Sequence, residues 1–188
     1  YEPSGDALEQ ARRTMARSFM GFGSAAASGA KTGFRANSNR SGTTPAHDWQ
    51  NFPKNVQPIM ERLRGVVIEN KDACAVMLQH DTPQTLHYVD PPYVFDTRSV
   101  ANPYCKKGYR HEMTDEQHRA LAATLRELAG MVIVSGYACP LYDEELYAGW
   151  FRVERTALAD GARPRTEILW MNDACAAQQT KKQERLFA

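Results

Sequence analysis

The sequence predicts an α/β fold built on an open sheet whose strands run mostly parallel. From residue 65 onward, short apolar strand patterns alternate with helix patterns. The run Met131–Ser135 is apolar up to its last residue, as in a buried strand of a parallel sheet. The chain has 188 residues, of which 43% are hydrophobic and 24% are charged. These values fit one globular domain, or one domain with an appendage, and exclude a disordered, collagenous or coiled-coil chain.

Residues 1–64 are predicted to form a helical and loop region outside the sheet. Residues 7–20 have the pattern of a helix, because apolar residues recur there at steps of three and four. Residues 21–54 are rich in Gly, Ser, Ala, Thr and Asn, which predicts a long loop, and Pro58 starts a short helix. This region holds nine Lys and Arg against five Asp and Glu, whereas the rest of the chain holds fourteen against seventeen. The basic charge is therefore concentrated in the first third of the chain.

Residues 65–174 are predicted to form the sheet and its helices, and residues 175–188 a polar, frayed tail. Apolar and β-branched runs predict strands at residues 66–69, 86–89, 131–135, 150–156 and 165–171. Capping residues and helical periodicity predict helices at residues 72–78, 114–129 and 141–147. Residues 159–162 form a turn signal between the last two strands, so these strands are expected to pair antiparallel.

The cysteines and the hydropathy pattern exclude several classes of protein. Single cysteines separated by 31, 34 and 36 residues make no metal framework, and they occur at Cys74, Cys105, Cys139 and Cys175. Scattered thiols are typical of a reducing, cytoplasmic setting. The stretch His111–Asp115 lacks the second histidine of a zinc-hydrolase helix, so no metal is expected. No apolar run approaches the roughly 20 residues of a membrane span, so no membrane partner is expected.

The segment Asp90-Pro91-Pro92-Tyr93 follows the second predicted strand, at the kind of strand end where open α/β sheets bind ligands. Two successive prolines fix two φ angles and remove two N–H donors, so the Pro91 carbonyl has a set direction. Asp90 places a second acceptor beside that carbonyl, and Tyr93 adds an aromatic face. Two acceptors and a stacking surface suit a planar ring that carries an exocyclic amino group. A Pro-Pro turn closed by a capping aspartate is the structural alternative.

This segment and its surroundings resemble the N6-adenine DNA methyltransferases, the family of the DNA adenine methylases. The other matching segments are Val67–Asp72, His87–Val89, Tyr109–His111, the helix from Thr114, Val132–Tyr137 and Arg165–Trp170. Residues 12–49 resemble the target-recognition part of phage-type members, which precedes the D-P-P-Y strand in that family as it does here. The resemblance covers nearly the whole chain.

The resemblance implies a Rossmann-like methyltransferase sheet, incomplete at its N-terminus, with a helical and loop target-recognition insertion. It implies S-adenosylmethionine as the methyl donor and double-stranded DNA as the partner, in a bacterium or a phage-infected host. Asp90 and the Pro91 carbonyl would accept the amino hydrogens of an adenine that has left the duplex. Pro92 would stiffen the turn and Tyr93 would stack on the base. Asp72 would accept the amino group of the donor's adenine, besides capping a helix.

Basic and polar residues in two regions are candidates for DNA contact. In the first region, phosphate contacts are expected from Arg12, Arg13, Arg17, Lys31, Arg35 and Arg40, and base-edge contacts from Asn37, Asn39 and Arg40. A loop after the D-P-P-Y segment could close over DNA or the extruded base through Arg98, Lys106, Lys107, Tyr109 and Arg110. A solvated helix face and a surface loop are the respective alternatives.

Two features of the family are not evident in the sequence. The family carries a Gly-rich F-x-G-x-G loop after its first strand and an acidic residue after the next strand, and both contact the methyl donor. Phe22-Gly23-Ser24 follows a predicted helix instead of a strand, so it is interpreted as part of the recognition loop. We therefore expect an N-terminal donor-binding segment or a complementing chain as a partner, and little activity from this chain alone.

Two other functions stay open at the level of the sequence. The chain could methylate another amino group, such as cytosine N4, an RNA base or a protein glutamine, although the aspartate of D-P-P-Y favours adenine. It could instead be a DNA-binding remnant that has no donor chemistry.

Overall fold

A computed structural model describes residues 3–21, 44–97, 111–159 and 163–178. The chain divides into two compact units, Tyr1–Ile68 and Glu69–Ala188. The described α-helices are α1 (Ala7–Met20), α2 (Pro45–Arg62), α3 (Ala73–His80) and α4 (Asp115–Glu127). The described strands are β1 (Leu86–Val89), β2 (Met131–Gly136), β3 (Phe151–Ala159) and β4 (Arg163–Met171). Shorter elements are a 3-10 turn at Phe95–Thr97, a π-helix at Leu141–Leu146 and a helical segment at 173–178.

The first unit contains α1 and α2, which meet through aromatic side chains. The ring of Phe19 lies edge-on to Trp49 at 5.5 Å and to Phe52 at 5.0 Å. α1 begins where the Asp6 side chain accepts the N–H groups of Leu8 and Glu9, as expected of an N-cap. The helix predicted at residues 7–20 is therefore confirmed.

The extent of α2 differs from the prediction of a loop to residue 54 and a short helix from Pro58. The helix begins earlier, where Thr44 accepts the N–H of His47, and it continues through Pro53 and Pro58. Each proline removes one helical hydrogen bond, which made a helix break the natural expectation. Both prolines are exposed, and the aromatic contacts with α1 hold the first half of the helix in place.

The sheet of the second unit is mixed, in the order β1-β2-β4-β3. β1 pairs parallel to β2, whereas β4 pairs antiparallel with both β2 and β3. The α/β class is confirmed, and so is the antiparallel pairing of the last two strands. The expectation of mostly parallel strands is wrong, because among the described strands only β1 and β2 pair parallel, and β4 pairs antiparallel with both of its neighbours.

The strand predicted at residues 66–69 is not formed. Val66, Val67 and Ile68 belong to no strand, and their exposed fractions are 49%, 78% and 86%. Their β-branched side chains favour a strand only where a neighbouring strand and a packing surface are present. Among the described strands, none pairs with this segment.

The core of the second unit lies between α4 and one face of the sheet. Leu125 of α4, Val132 and Val134 of β2 and Trp170 of β4 are all at most 1% exposed. Trp170 also meets Tyr142 of the π-helix edge-on at 5.1 Å. This packing fixes β2 and β4, whose ends border the site described below.

A single carboxylate joins the starts of β1 and β2. Asp81 accepts the N–H of Ala129 through Oδ2 at 2.7 Å and the N–H of Gly130 through Oδ1 at 2.9 Å. His87 Nε2 lies 3.0 Å from the same Oδ1. A side chain at position 130 would bring Cβ to 2.7 Å from the Thr85 carbonyl oxygen, so the close approach requires glycine. The hydrogen bond from Ala129, followed by those from His87 and Gly130, holds the pKa of Asp81 below its ordinary value.

We expect Leu125→Ala to lower the free energy of unfolding of the second unit by about 2–5 kcal/mol, because it leaves a cavity in the core. Leu78→Ala is the matched control, since Leu78 is 52% exposed and its truncation should cost less than about 1 kcal/mol. Urea unfolding followed by tryptophan fluorescence measures both. Equal losses in the two variants would contradict the assigned core.

The Asp81 contacts should make stability depend on pH. Because the folded-state pKa is depressed, the stabilisation is present above the unfolded pKa of about 3.9 and is lost as the pH falls through the lower folded value. Asp81→Asn should therefore lower the melting temperature at pH 7, and its difference from the wild type should shrink toward pH 3. Asp96→Asn, at an exposed position, is the control. A difference that stays constant with pH would argue against this role of Asp81.

Candidate active site

An open cavity of about 670 Å³ lies in the second unit, at the carboxyl end of β1. Its walls come from the start of α3, the D-P-P-Y segment (Asp90–Tyr93) and α4. Its polar lining residues are Glu69, Lys71, Asp72, Tyr88, Asp90 and Gln117. Its apolar lining includes Val76, Met77, Met113 and Leu121. Mostly apolar walls with a few polar groups, and a volume in this range, are typical of small-molecule sites.

The two aspartates that the sequence predicted as site residues both line this cavity. Asp72 caps α3, and its Oδ1 accepts the N–H of Ala75 at 2.9 Å. No described residue donates a hydrogen bond to its Oδ2, and the side chain is exposed. Asp90 is exposed as well, and Pro91 and Pro92 line the cavity beside it. The fold thus brings together acceptor groups from two segments of the chain.

The Asp90 carboxylate is held by a residue of the neighbouring strand. The hydroxyl of Ser135 donates a hydrogen bond to Asp90 Oδ1 at 2.8 Å and lies 3.4 Å from the carbonyl oxygen of Val89. Ser135 is 2% exposed. The parallel register places Val89 opposite Val134, so Asp90 and Ser135 are the next residues along the two strands.

Tyr93 is half-buried and does not line the cavity, unlike the other three residues of the segment. Its ring meets Tyr137 edge-on, with centroids 4.8 Å apart and an interplanar angle of 84°. Burial, followed by the negative charges of Asp90 and Glu167, raises the pKa of Tyr93 well above its ordinary value, while a hydrogen bond with Ser135 opposes this shift. The phenol is therefore neutral at pH 7 and can donate a hydrogen bond.

The chain that leaves the D-P-P-Y segment is anchored on both sides. Val94 is buried, and its carbonyl oxygen accepts hydrogen bonds from the N–H of Thr97 at 3.0 Å and from the Thr97 hydroxyl at 2.7 Å. Arg165 of β4 donates to the Thr97 carbonyl at 3.4 Å. The same guanidinium lies 5.2 Å from the ring centroid of Tyr137, a distance suited to a cation–π contact.

The predicted DNA-contact residues fall in two groups. Arg12 and Arg13 lie on α1, and each places its Nε 2.7 Å from the Glu9 carboxylate, while Arg17 is in the last turn of that helix. The hydrogen bonds from Arg12 and then Arg13 lower the pKa of Glu9 to about 2. The remaining candidates lie outside the described residues, and they are Lys31, Arg35, Asn37, Asn39, Arg40, Arg98, Lys106, Lys107, Tyr109 and Arg110.

Comparisons of the chain with protein-family models, with curated proteins and with solved structures found no match. In the described ranges, no group of three or more His, Cys, Asp or Glu side chains is arranged to hold a metal ion. None of the helices in the described part of the chain has the length and apolar character that crossing a membrane requires.

The polar lining residues Glu69, Lys71, Tyr88 and Gln117 were not among the predicted site residues. The sequence predicted that Ser135 ends the next strand beside the base pocket, but it assigned no hydrogen bond with Asp90. Tyr88 stands two positions before Asp90, and residues two apart in a strand face the same side, so this residue could have been found. Ser135 is the polar end of an otherwise apolar strand. Its role depends on which strand lies beside it, and the sequence alone does not give the strand order.

Thiol chemistry can test the cavity. Cys74 is half-buried and lines the cavity, whereas Cys175 is 6% exposed and burial raises the pKa of its thiol. In variants that retain one cysteine each, Cys74 should react with Ellman's reagent at least about tenfold faster than Cys175, because access and thiolate content both set the rate. Equal rates would mean that the cavity is closed in solution.

Proposed function

We propose that this protein transfers a methyl group from S-adenosylmethionine to the N6 amino group of adenine in DNA. The observation that carries the proposal is that Asp72, Asp90 and the two prolines line one cavity at the end of β1. The resemblance to DNA adenine methylases assigns these positions to donor binding and to the amino acceptor. The parallel pair β1–β2, with a ligand-sized cavity at its carboxyl end, supports a Rossmann-like methyltransferase sheet.

The cavity fits the donor in its charge as well as in its size. S-adenosylmethionine, when bound, supplies a methyl group on a positively charged sulfur. The carboxylates of Glu69, Asp72 and Asp90 line the cavity. Only that of Glu69 is paired with a described cation, since its Oε2 lies 3.0 Å from Lys71 Nζ. The excess negative charge favours a cationic ligand. The Oδ2 of Asp72 is available to accept an amino hydrogen of the donor's adenine.

The D-P-P-Y segment can activate an adenine amino group by hydrogen bonding alone. The amino lone pair is delocalised into the ring and is a poor nucleophile. Asp90 and the Pro91 carbonyl accept hydrogen bonds from the two amino N–H groups. These bonds favour a tetrahedral nitrogen whose lone pair is localised. The gain comes from positioning and from fixed acceptors near the developing positive charge. As the bond between nitrogen and the methyl carbon forms, the bond between that carbon and the donor's sulfur would break and leave a neutral thioether. The nitrogen would then lose its surplus proton to water.

The aromatic residues beside the segment can receive a base that has left the duplex. Extrusion of a base costs a few kcal/mol. Stacking on an aromatic side chain contributes about 1–3 kcal/mol per base, so Tyr93 can offset much of this cost. The edge-on contact with Tyr137 holds the Tyr93 ring in place for that stacking.

The basic first unit supports a DNA partner. α1 carries Arg12, Arg13 and Arg17 against Glu9, so the helix has an excess of positive charge. Phosphate contacts of this kind supply affinity that falls with increasing salt.

Variants of the two aspartates separate donor binding from methyl transfer. We expect Asp90→Ala to lower the transfer of labelled methyl groups to unmethylated duplex DNA by about 100-fold or more, because one acceptor of the amino group is lost. Asp72→Ser keeps a good helix cap but removes the second carboxylate oxygen. It should weaken the binding of S-adenosylmethionine, measured by calorimetry, by about tenfold.

Asp96→Ala is the control for both measurements, since Asp96 is exposed and does not line the cavity. Wild-type activity in Asp90→Ala would refute the proposed mechanism. Unchanged donor affinity in Asp72→Ser would refute the assignment of the cavity to the donor.

A further inference from the structure

Ser135 is a buried hydroxyl in a strand that is otherwise suited to an apolar core. Its neighbours Val134 and Gly136 are buried like Ser135 itself. A buried hydroxyl lowers stability unless it is hydrogen-bonded. The partner that Ser135 uses at the shortest distance is the exposed Asp90 carboxylate, at 2.8 Å. The Ser135 hydroxyl therefore makes its shortest hydrogen bond to a residue of the candidate site, at the carboxyl end of β1.

The geometry of this contact makes the two oxygens of Asp90 inequivalent. Oδ1 accepts a hydrogen bond from the hydroxyl of Ser135, and no described residue donates a hydrogen bond to Oδ2. Fixing one oxygen of a carboxylate restricts its rotation, because the hydroxyl comes from a rigid buried strand. Oδ2 is then the acceptor with a set direction.

We propose that Ser135 is the positioning residue of the site, which orients Asp90 so that Oδ2 accepts the amino hydrogen of the methyl acceptor. This inference rests on the proposed function and adds a residue to it. The parallel register supports it, since Asp90 and Ser135 directly follow the paired residues Val89 and Val134.

The alternative is that Ser135 only stabilises the end of β2. Its distance to the Val89 carbonyl oxygen, 3.4 Å, is too long for that bond to be the main one. A structural role and a positioning role predict different kinetics. Loss of a structural bond lowers the amount of folded protein, whereas loss of positioning lowers kcat in protein that is still folded.

The test compares Ser135→Ala with Ser135→Thr, which keeps the hydroxyl. We expect Ser135→Ala to lower kcat for methyl transfer to DNA by about 10- to 100-fold, with the dissociation constant of S-adenosylmethionine and the KM for DNA nearly unchanged. Ser135→Thr should recover most of the wild-type kcat. Thr124→Ala is the matched control, since that hydroxyl donates to a carbonyl within its own helix. Circular dichroism checks that each variant is folded.

A second measurement does not depend on activity. The carboxyl carbon resonance of Asp90 can be assigned with the Asp90→Asn variant. It should shift in Ser135→Ala and remain close to the wild-type position in Ser135→Thr. An unchanged resonance, or an unchanged kcat in folded Ser135→Ala protein, would overturn the role of Ser135. Absence of any methyl transfer by the wild type, even when the protein is present in equal amount to the DNA sites, would instead refute the proposed function, and the resonance would still show whether Ser135 holds Asp90.

Discussion

The parallel pairing of β1 with β2 is the constraint on which the candidate site depends. Parallel strands bring their carboxyl ends to the same edge of a sheet, so the residues that follow them meet there. Asp81 fixes the starts of the two strands through the N–H groups of Ala129 and Gly130. Ser135 and Asp90 join their ends. A shift of one residue in this register would separate Asp90 from its hydrogen-bond donor and turn its side chain to the other face.

Charge is divided between the two units in a way that suits two different ligands. The cavity of the second unit has an excess of carboxylates, which favours a cationic ligand such as the proposed methyl donor. α1 of the first unit carries more arginine than acidic side chains, which favours a polyanion such as the proposed DNA partner. The net charge of +1 is therefore the sum of an acidic cavity in the second unit and a basic helix in the first unit, together with the other charged residues.

Local signals predicted the elements that depend on local interactions. The capping box of Thr114 and Gln117 starts α4, the apolar run from Met131 forms β2, and the last two strands form a hairpin. The secondary-structure predictions fail where contacts between residues distant in the sequence determine the structure. Residues 66–69 have strand composition, but none of the described strands pairs with them. α2 continues through two prolines, whereas each proline alone predicts a break in the helix. At the site, the D-P-P-Y segment was predicted from its chemistry. Ser135 lies in the segment Val132–Tyr137 that the sequence already matched to the family, but its hydrogen bond with Asp90 depends on the strand order, which the sequence does not give.

The central claim is that the cavity at the end of β1 serves methyl transfer to an adenine amino group. The most direct measurement is incubation of the protein with S-adenosylmethionine and unmethylated duplex DNA, followed by digestion to nucleosides and mass spectrometry. The account predicts N6-methyladenine as the modified nucleoside, in small amounts, because the Gly-rich donor loop of the family is not evident in the sequence. Modification of cytosine, or DNA without any modified nucleoside even when the protein is present in equal amount to the DNA sites, would contradict it.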